Sequence, residues 1–176
     1  AVTGHCSPAA GEVLIDGVSA QSLVSRRGQD AIVMLENDPA ILSGTLLENL
    51  SAFGDETHIS RAKEFAAKLG LEKRIHRLPM GYNTKLGSGS AFENDPVNRQ
   101  LIALVRVLAL RPRILLLNEP TAVLDTTERE DLAECLASLS PKPTILMNSP
   151  DPRMKGLADV ECKLTCLVGD EVADWD

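Results

Sequence analysis

One short segment of the chain carries side chains that could take part in phosphate chemistry. It reads Arg113-Ile-Leu-Leu-Leu-Asn-Glu-Pro-Thr-Ala-Val-Leu-Asp125 and places Asn118 and Glu119 directly after four aliphatic residues. The aliphatic run has the length and composition of a buried parallel strand, and open α/β sheets bind ligands beyond the carboxyl ends of such strands. Glu119 could act there as a general base, whereas Asn118 offers a metal ion an amide without negative charge. The segment therefore predicts a phosphate site that lacks one carboxylate.

The periodicity of the apolar residues predicts the elements that position these side chains. A strand that runs into a turn is predicted at 13–17, and further strands are predicted at 31–35, 114–117 and 144–147. Three- and four-residue spacing predicts helices at about 57–69, 71–77, 97–108 and 127–139. Thr57 is the predicted cap of the first helix and Gly70 its predicted end, and Pro96 suits the first turn of the third. A helix-rich insertion is thus expected between two segments that form a sheet.

Composition excludes several classes of function. The 176 residues include 44% hydrophobic residues, carry a net charge of −7 and contain one Trp, one Tyr and three Phe. Nucleic-acid binding is disfavoured, because the sequence has neither a basic stripe nor an aromatic platform. No apolar run approaches the ~20 residues that cross a bilayer, and no signal peptide is recognisable. The cysteines lack metal-ligand spacing, so buried reduced thiols are expected at Cys6, Cys135, Cys162 and Cys166.

Four segments together resemble one protein family. Residues 113–125 are similar, almost letter for letter, to the Walker B and D-loop segment of ATP-binding cassette (ABC) transporter ATPases. Residues 11–17 resemble the hairpin that follows the first nucleotide-binding helix of that family. Residues 37–50 resemble the Q-loop and the segment after it in exporters, including type I secretion ATPases. Residues 99–108 resemble the helix after the signature motif, and the order and spacing of all four segments agree with the family.

The resemblance implies an α/β fold with a P-loop NTPase-like (ABC ATPase) core, a parallel central sheet and a helical subdomain. Residues 1–176 would form a single, partial nucleotide-binding domain, with the sheet-containing core at 1–46 and 111–176 and the helical subdomain at 47–110. The phosphate cradle of the family, a G-x-x-x-x-G-K-[ST] loop called Walker A, does not occur in the sequence. Either this loop lies upstream of residue 1 or the domain has lost it, and the sequence leaves both alternatives open.

Several positions that face the nucleotide in the family differ in this chain. Asn118 replaces the Asp that supports Mg²⁺, although it could equally serve only to cap a turn, and Asn37 replaces a longer Gln that reaches the metal. Pro150 replaces the switch His and cannot hydrogen-bond a γ-phosphate. Glu93 and Asp95 lie where the family has Leu-Ser-Gly-Gly-Gln and would repel a triphosphate, although Asp95 is also the predicted N-cap of the next helix. The family uses ATP and Mg²⁺; the affinity of this chain for Mg²⁺ is expected to be lower, and the sequence leaves open whether ATP still binds.

Other positions stay close to the family pattern. Glu119 remains as a vestigial general base, and Asp125 in the D-loop could either cross a dimer interface or cap the helix that follows. Ile41 and Leu42 lie where the family receives a coupling helix from its membrane domain. These two residues are therefore predicted to dock the partner.

Two functions follow from this combination. The leading hypothesis is a degenerate ABC domain of a membrane exporter, which does not hydrolyse ATP and acts as a structural or regulatory partner of a transmembrane domain. It would lie at the cytoplasmic face of the membrane and pair with a second nucleotide-binding domain in a homodimer or heterodimer. The alternative is an active exporter ATPase domain that powers transport, with Glu119 as base and its Walker A loop outside these residues.

Overall fold

The computed structural model describes residues 3, 8, 10–22, 32–163, 166–168 and 171–173. Its centre is a parallel sheet of three strands, β3 (Ile32–Leu35), β6 (Ile114–Asn118) and β7 (Thr144–Asn148), in the order β3-β6-β7. The aliphatic strand β6 lies in the middle, as its uninterrupted apolar run predicts. Leu35 pairs with Leu117, and Leu117 pairs with Met147, so all three strands end at the same edge of the sheet.

Three small antiparallel pairs accompany this sheet. β1 (Leu14–Ile15) pairs with β2 (Val18–Ser19), β4 (Gly44–Thr45) with β5 (Lys85–Leu86), and β8 (Cys166–Val168) with β9 (Glu171–Ala173). The β1-β2 hairpin turns at Asp16 and Gly17, which both have positive φ, as the predicted strand and turn at 13–17 require.

The helical region between β4 and β6 begins with three helices. These are α1 (Leu46–Leu50), α2 (Glu56–Lys68) and α3 (Leu71–Ile75). The prediction that Thr57 caps α2 is wrong, because the Asp55 side chain accepts hydrogen bonds from the backbone N–H groups of Thr57 and His58. Gly70 separates α2 from α3 in a left-handed conformation (φ 70°), which ends α2 where the sequence predicts.

Four further helices follow in the described part of the chain: α4 (Ala91–Asn94), α5 (Pro96–Ala109), α6 (Thr126–Ala137) and α7 (Pro152–Lys155). A short 3-10 helix (Gly81–Asn83) lies between α3 and β5. Pro96 occupies the first turn of α5, and Asp95 caps it by accepting the N–H of Asn98 at 3.0 Å. Both features agree with the sequence prediction.

The hydrophobic core forms where α5 packs against α1 and α2. Leu101, Ile102, Leu104 and Val105 of α5 are fully or almost fully buried, in one cluster with Leu115 of β6. Cys135 is buried there as a free thiol, as predicted, and burial raises its pKa to about 11. The same prediction is wrong for Cys162, which is exposed. Cys6 and the side chain of Cys166 lie outside the described part of the structure.

Candidate functional site

The candidate site is the carboxyl edge of the three-stranded sheet. Asn118 ends β6 in register with Asn148 at the end of β7. The Asn148 Nδ2 group donates a hydrogen bond of 3.1 Å to Asn118 Oδ1. The oxygen that would face a metal ion is therefore engaged by the neighbouring strand, and this cross-strand pair, rather than a turn cap, is the contact that Asn118 makes.

Glu119 follows immediately and has an unusual backbone conformation. Its φ of 46° is left-handed, which costs a residue with a side chain about 1–2 kcal/mol. Its N–H donates to the carbonyl of Asn148 at 2.8 Å, and this bond helps to hold the turn. The side chain is half-buried, and its carboxylate forms no hydrogen bond or ion pair with any residue that the structure describes. Glu119 therefore presents an unpaired carboxylate at this edge.

Asn37 lies at the same edge but contributes little to it. β3 ends at Leu35 opposite Leu117, so Asn37 follows two residues beyond the strand and is exposed. No group of three or more His, Cys, Asp or Glu side chains within the described ranges could hold a metal ion. One carboxylate, from Glu119, and an amide oxygen already engaged by Asn148 are a poor fit for Mg²⁺, which prefers several free oxygen ligands.

Two arginines of α5 hold the segment that follows Asn37. Arg99 contacts Asp38 at 2.6 Å and the carbonyl of Pro39 at 3.2 Å. Arg106, seven residues and about two turns further along the same helix, donates to the carbonyl of Ala40 at 2.9 Å. Burial lowers the pKa of Arg106, and its three hydrogen bonds offset that desolvation. These hydrogen bonds hold residues 38–40 against the buried helix α5.

The buried Asn49 extends the same contact. It accepts a hydrogen bond from Arg106 Nη2 at 2.9 Å, and it exchanges two hydrogen bonds of 2.9 Å with the backbone of Leu42. Ile41 packs against the hydrophobic core, whereas Leu42 is 45% exposed. Ile41 and Leu42 were both predicted to dock the partner, but only Leu42 presents much apolar surface to solvent. The roles of Asn49 and Arg106 were not predicted, although the seven-residue spacing of Arg99 and Arg106 was a usable signal.

Residues 87–95, which include the segment in place of the family's signature motif, form hydrogen bonds among themselves. Glu93 is only 5% exposed, and its carboxylate accepts the N–H groups of Gly87 and Ser90, both at 2.6 Å. Ser90 and Glu93 form the capping box of α4. The Glu93 carboxylate is thus used within its own loop, and its expected repulsion of a triphosphate stays a prediction. Asp95 is used in capping α5, as predicted.

Asp125 caps the helix that follows it, which was one of its two predicted roles. It accepts the N–H of Glu128 at 2.9 Å, and Glu128 Oε2 accepts the N–H of Asp125 at 3.0 Å. The other oxygen of Glu128 forms an ion pair with Arg74, and Arg74 Nη1 donates to Asn98 Oδ1 at 3.2 Å. This network, which we call the D-loop clamp (Arg74, Asn98, Asp125 and Glu128), joins α6 to α3 and α5. Its long-range contacts were not predicted from the sequence.

The segment after β7 is tied to the same region. Pro150 is exposed two residues beyond the end of β7. Asp151 is buried, caps α7 by accepting the N–H of Arg153, and forms an ion pair of 3.4 Å with Arg129. Arg129 Nε also donates to the carbonyl of Leu124 in the D-loop. At the position of the family's switch His, the chain therefore has an exposed proline directly before the cap of α7.

Comparisons with known proteins agree with this architecture. The family model described as ABC transporter matches residues 1–122. ABC transporter B family member 15 of Arabidopsis thaliana is 31% identical over 133 residues, which are 76% of this chain and 11% of that protein. ATP-binding cassette sub-family B member 5 of Homo sapiens is 31% identical over 132 residues, 73% of this chain and 10% of that protein. A solved structure of a bacterial Atm1-family ABC exporter with ATP bound matches this structure with a TM-score of 0.68 and 25% sequence identity. The match covers 81% of this chain and 25% of the exporter chain.

The parallel sheet, the helices around it and the motifs at its carboxyl edge define an α/β domain of the ABC ATPase class. The chain belongs to the ABC transporter family and has the fold of the nucleotide-binding domain of its exporters. Family membership implies ATP binding, typically with magnesium. The chain spans about a tenth of the length of the curated relatives named above. Within the described ranges, none of the helices combines the length and apolarity needed to cross a membrane.

Proposed function

We propose that this chain is a degenerate ABC domain of a membrane exporter that does not hydrolyse ATP and serves as a structural or regulatory partner. The observation that carries the proposal is the hydrogen bond between Asn118 and Asn148 at the edge where metal and phosphates would lie. This amide pair adds no negative charge and already uses the oxygen nearest the expected metal position. Mg²⁺ support is therefore weak, and the nucleotide site lacks a main electrostatic element.

The remaining nucleotide-facing positions support the same proposal. Pro150 supplies no hydrogen bond for a γ-phosphate, Asn37 is short and exposed, and the segment around Glu93 is closed on itself. Glu119 would then be a vestigial base, since without a metal and a cradle nothing aligns a water molecule with a phosphate. Binding of ATP and Mg²⁺ to this chain is proposed to be weak.

The proposed partner is a transmembrane domain at the cytoplasmic face of the membrane. Leu42 offers exposed apolar surface, and Ile41 beside it is anchored in the core. The hydrogen bonds from Arg99 and Arg106 hold this segment in place before a partner binds, so docking loses little conformational entropy. Docking needs shape and apolar contact and does not depend on an intact catalytic site.

A second nucleotide-binding domain is the other proposed partner. The D-loop keeps the family pattern, and the D-loop clamp holds it against the helical region. The helical subdomain is proposed at 47–110 and the sheet-containing core at 1–46 and 111–176. Under this division the clamp joins the two subdomains, because Arg74 and Asn98 belong to the first, and Asp125 and Glu128 to the second.

One observation favours the alternative of an active exporter ATPase. Glu119 presents an unpaired carboxylate at the candidate edge, where a general base would lie. That function would need a Walker A loop from outside these residues. It would also need another group in place of Pro150.

The experiment that separates the two proposals measures phosphate release by the full chain at saturating Mg-ATP. We expect the rate of buffer alone, and we expect Glu119→Gln to leave it unchanged. An exposed control, Glu130→Gln, shows whether a carboxylate-to-amide change by itself affects the assay. Turnover near ~1 s⁻¹ that disappears in Glu119→Gln but not in Glu130→Gln would establish the active enzyme instead.

A further inference from the structure

A cavity of about 360 Å³ lies at the end of the sheet opposite the candidate site. It is lined by one face of α2, by Arg111 and Pro112 before β6, and by the loop of residues 138–143 before β7. Leu115, near the amino end of β6, forms part of its wall, whereas Glu119 follows the other end of that strand. At ~3.3 Å per residue the two ends are more than ~10 Å apart. The cavity is therefore separate from the nucleotide-facing edge.

One wall of this cavity carries a buried donor without a partner. Arg61 Nε is buried, and no hydrogen-bond acceptor for it is found in the described part of the structure. Arg61 also forms no ion pair with any described residue. Buried polar groups in folded proteins are nearly always hydrogen-bonded, and an exception calls for an explanation such as a ligand. Because Arg61 lines the cavity, its guanidinium group can bind an anion there, and a small rotation of the side chain would bring the unpaired Nε to the same anion.

The charge balance of the cavity favours an anion. Its cationic side chains are Arg61, Lys68 and Arg111, and its acidic side chain is Glu64. Glu64 forms an ion pair of 2.7 Å with Lys68, and this hydrogen bond raises the pKa of Lys68. The two guanidinium groups of Arg61 and Arg111 are left without a carboxylate among the described residues. A planar guanidinium can bind carboxylate or phosphate oxygens in two parallel hydrogen bonds.

The rest of the wall is apolar and supplies a place for a hydrophobic body. Phe65 and Leu108 are buried side chains that line the cavity, and Leu139 and Pro112 contribute further apolar surface. A volume of about 360 Å³ is within the range of small-molecule sites, which combine apolar walls with a few placed polar groups. Inorganic phosphate would satisfy the arginines but leave this apolar surface in contact with water.

We propose that this cavity binds a small amphipathic anion, with its carboxylate or phosphate group on Arg61 and Arg111 and its apolar body against Phe65 and Leu139. The site does not depend on nucleotide binding and is independent of whether the chain hydrolyses ATP. It would let a metabolite of this chemical class act on α2, the longest helix between β4 and α5.

Nitrogen-15 NMR of the arginine Nε–Hε groups tests the proposal directly, because an anion that binds the guanidinium group of Arg61 changes the surroundings of its Nε–Hε group. The full chain is titrated with phenyl phosphate, benzoate, inorganic phosphate and the neutral benzyl alcohol. We expect phenyl phosphate or benzoate to shift the Arg61 Nε–Hε resonance and to bind at least about tenfold more tightly than inorganic phosphate or benzyl alcohol. The stronger of the two aromatic anions then distinguishes a phosphate ester from a carboxylate ligand.

Matched variants complete the test. Arg61→Gln and Arg111→Gln should each weaken the binding of the preferred anion about tenfold or more, whereas Arg113→Gln, an exposed arginine outside the cavity, should not. The anion should also raise the unfolding temperature of the wild-type chain but not of Arg61→Lys, a variant that keeps the charge and loses the planar fork. An unchanged Arg61 resonance at about 10 mM anion, or equal affinity in Arg61→Gln and Arg113→Gln, would overturn the proposal.

Discussion

Removal of the ion pair between Arg74 and Glu128 should lower the stability of the chain measurably. Glu128 keeps only 10% of its side chain exposed and Arg74 keeps 35%. One Glu128 oxygen binds Arg74, and the other accepts the N–H of Asp125 at the start of α6. Replacement of Glu128 by Ala therefore removes a charge pair and half of a capping box in one step.

The size of the effect follows from these contacts. Removal of one partner from a buried ion pair costs about 3–5 kcal/mol, but Arg74 stays partly hydrated, so about 2 kcal/mol is appropriate here. Loss of the capping contact at Asp125 adds about 1 kcal/mol. The total of about 3 kcal/mol corresponds to a fall in the unfolding temperature of about 6–12 °C for a chain of 176 residues. Glu128→Gln keeps the acceptor atom and should cost about half as much.

Thermal and urea unfolding of the full chain give the unfolding temperature and the free energy of unfolding that test this prediction. The matched control is Glu130→Ala, since Glu130 pairs with Arg153 at 3.1 Å while 55% of its side chain is exposed. That change should stay within about 1 kcal/mol. A double-mutant cycle with Arg74→Met should give a coupling of about 1–2 kcal/mol between Arg74 and Glu128. If Glu128→Ala unfolds like Glu130→Ala, or if the coupling is below ~0.5 kcal/mol, the clamp does not hold the two helices together.

Three further outcomes are expected. Asn118→Asp should leave phosphate release at the rate of buffer, because a charge restored at one position does not supply the other missing contacts, and substantial hydrolysis would contradict the proposed function. Leu42→Asp should reduce assembly with the membrane segment without loss of stability, whereas Ile41→Asp should also lower the unfolding temperature, because Ile41 packs against the core. A thiol reagent at pH 8 should label Cys162 within minutes but Cys135 only after unfolding, because burial raises the Cys135 pKa to about 11; equal labelling by peptide mass spectrometry would contradict this burial.

Much of the local structure could be predicted because its signals are close in the sequence. The aliphatic run of β6 lies at the centre of the sheet, and Pro96 and Asp95 begin α5 as predicted. The cap of α2 was misplaced by two residues, because Asp55 and Thr57 both suit that position. In the structure the Asp55 carboxylate accepts the N–H groups of Thr57 and His58, and the sequence does not decide between the two candidate caps.

Long-range partners in the candidate site were beyond sequence reasoning. The bond between Asn118 and Asn148 depends on the register of β6 and β7, since a shift of one residue would move the two side chains to opposite faces. Glu93 was predicted to face a ligand, but its loop folds around it and uses its charge internally. The same residue types could have made either arrangement.

By itself the sequence determined the family, the aliphatic strands, the helix cap at Asp95 and the absence of a Walker A motif from these residues. These features depend on residue type and short spacing, which govern backbone propensity and hydrogen bonds over one turn. Only the tertiary structure decided that Arg74 reaches Glu128 across 54 positions and that Arg61 remains without an acceptor. Such pairings depend on how whole elements pack, because a few ångströms of displacement make or remove a hydrogen bond.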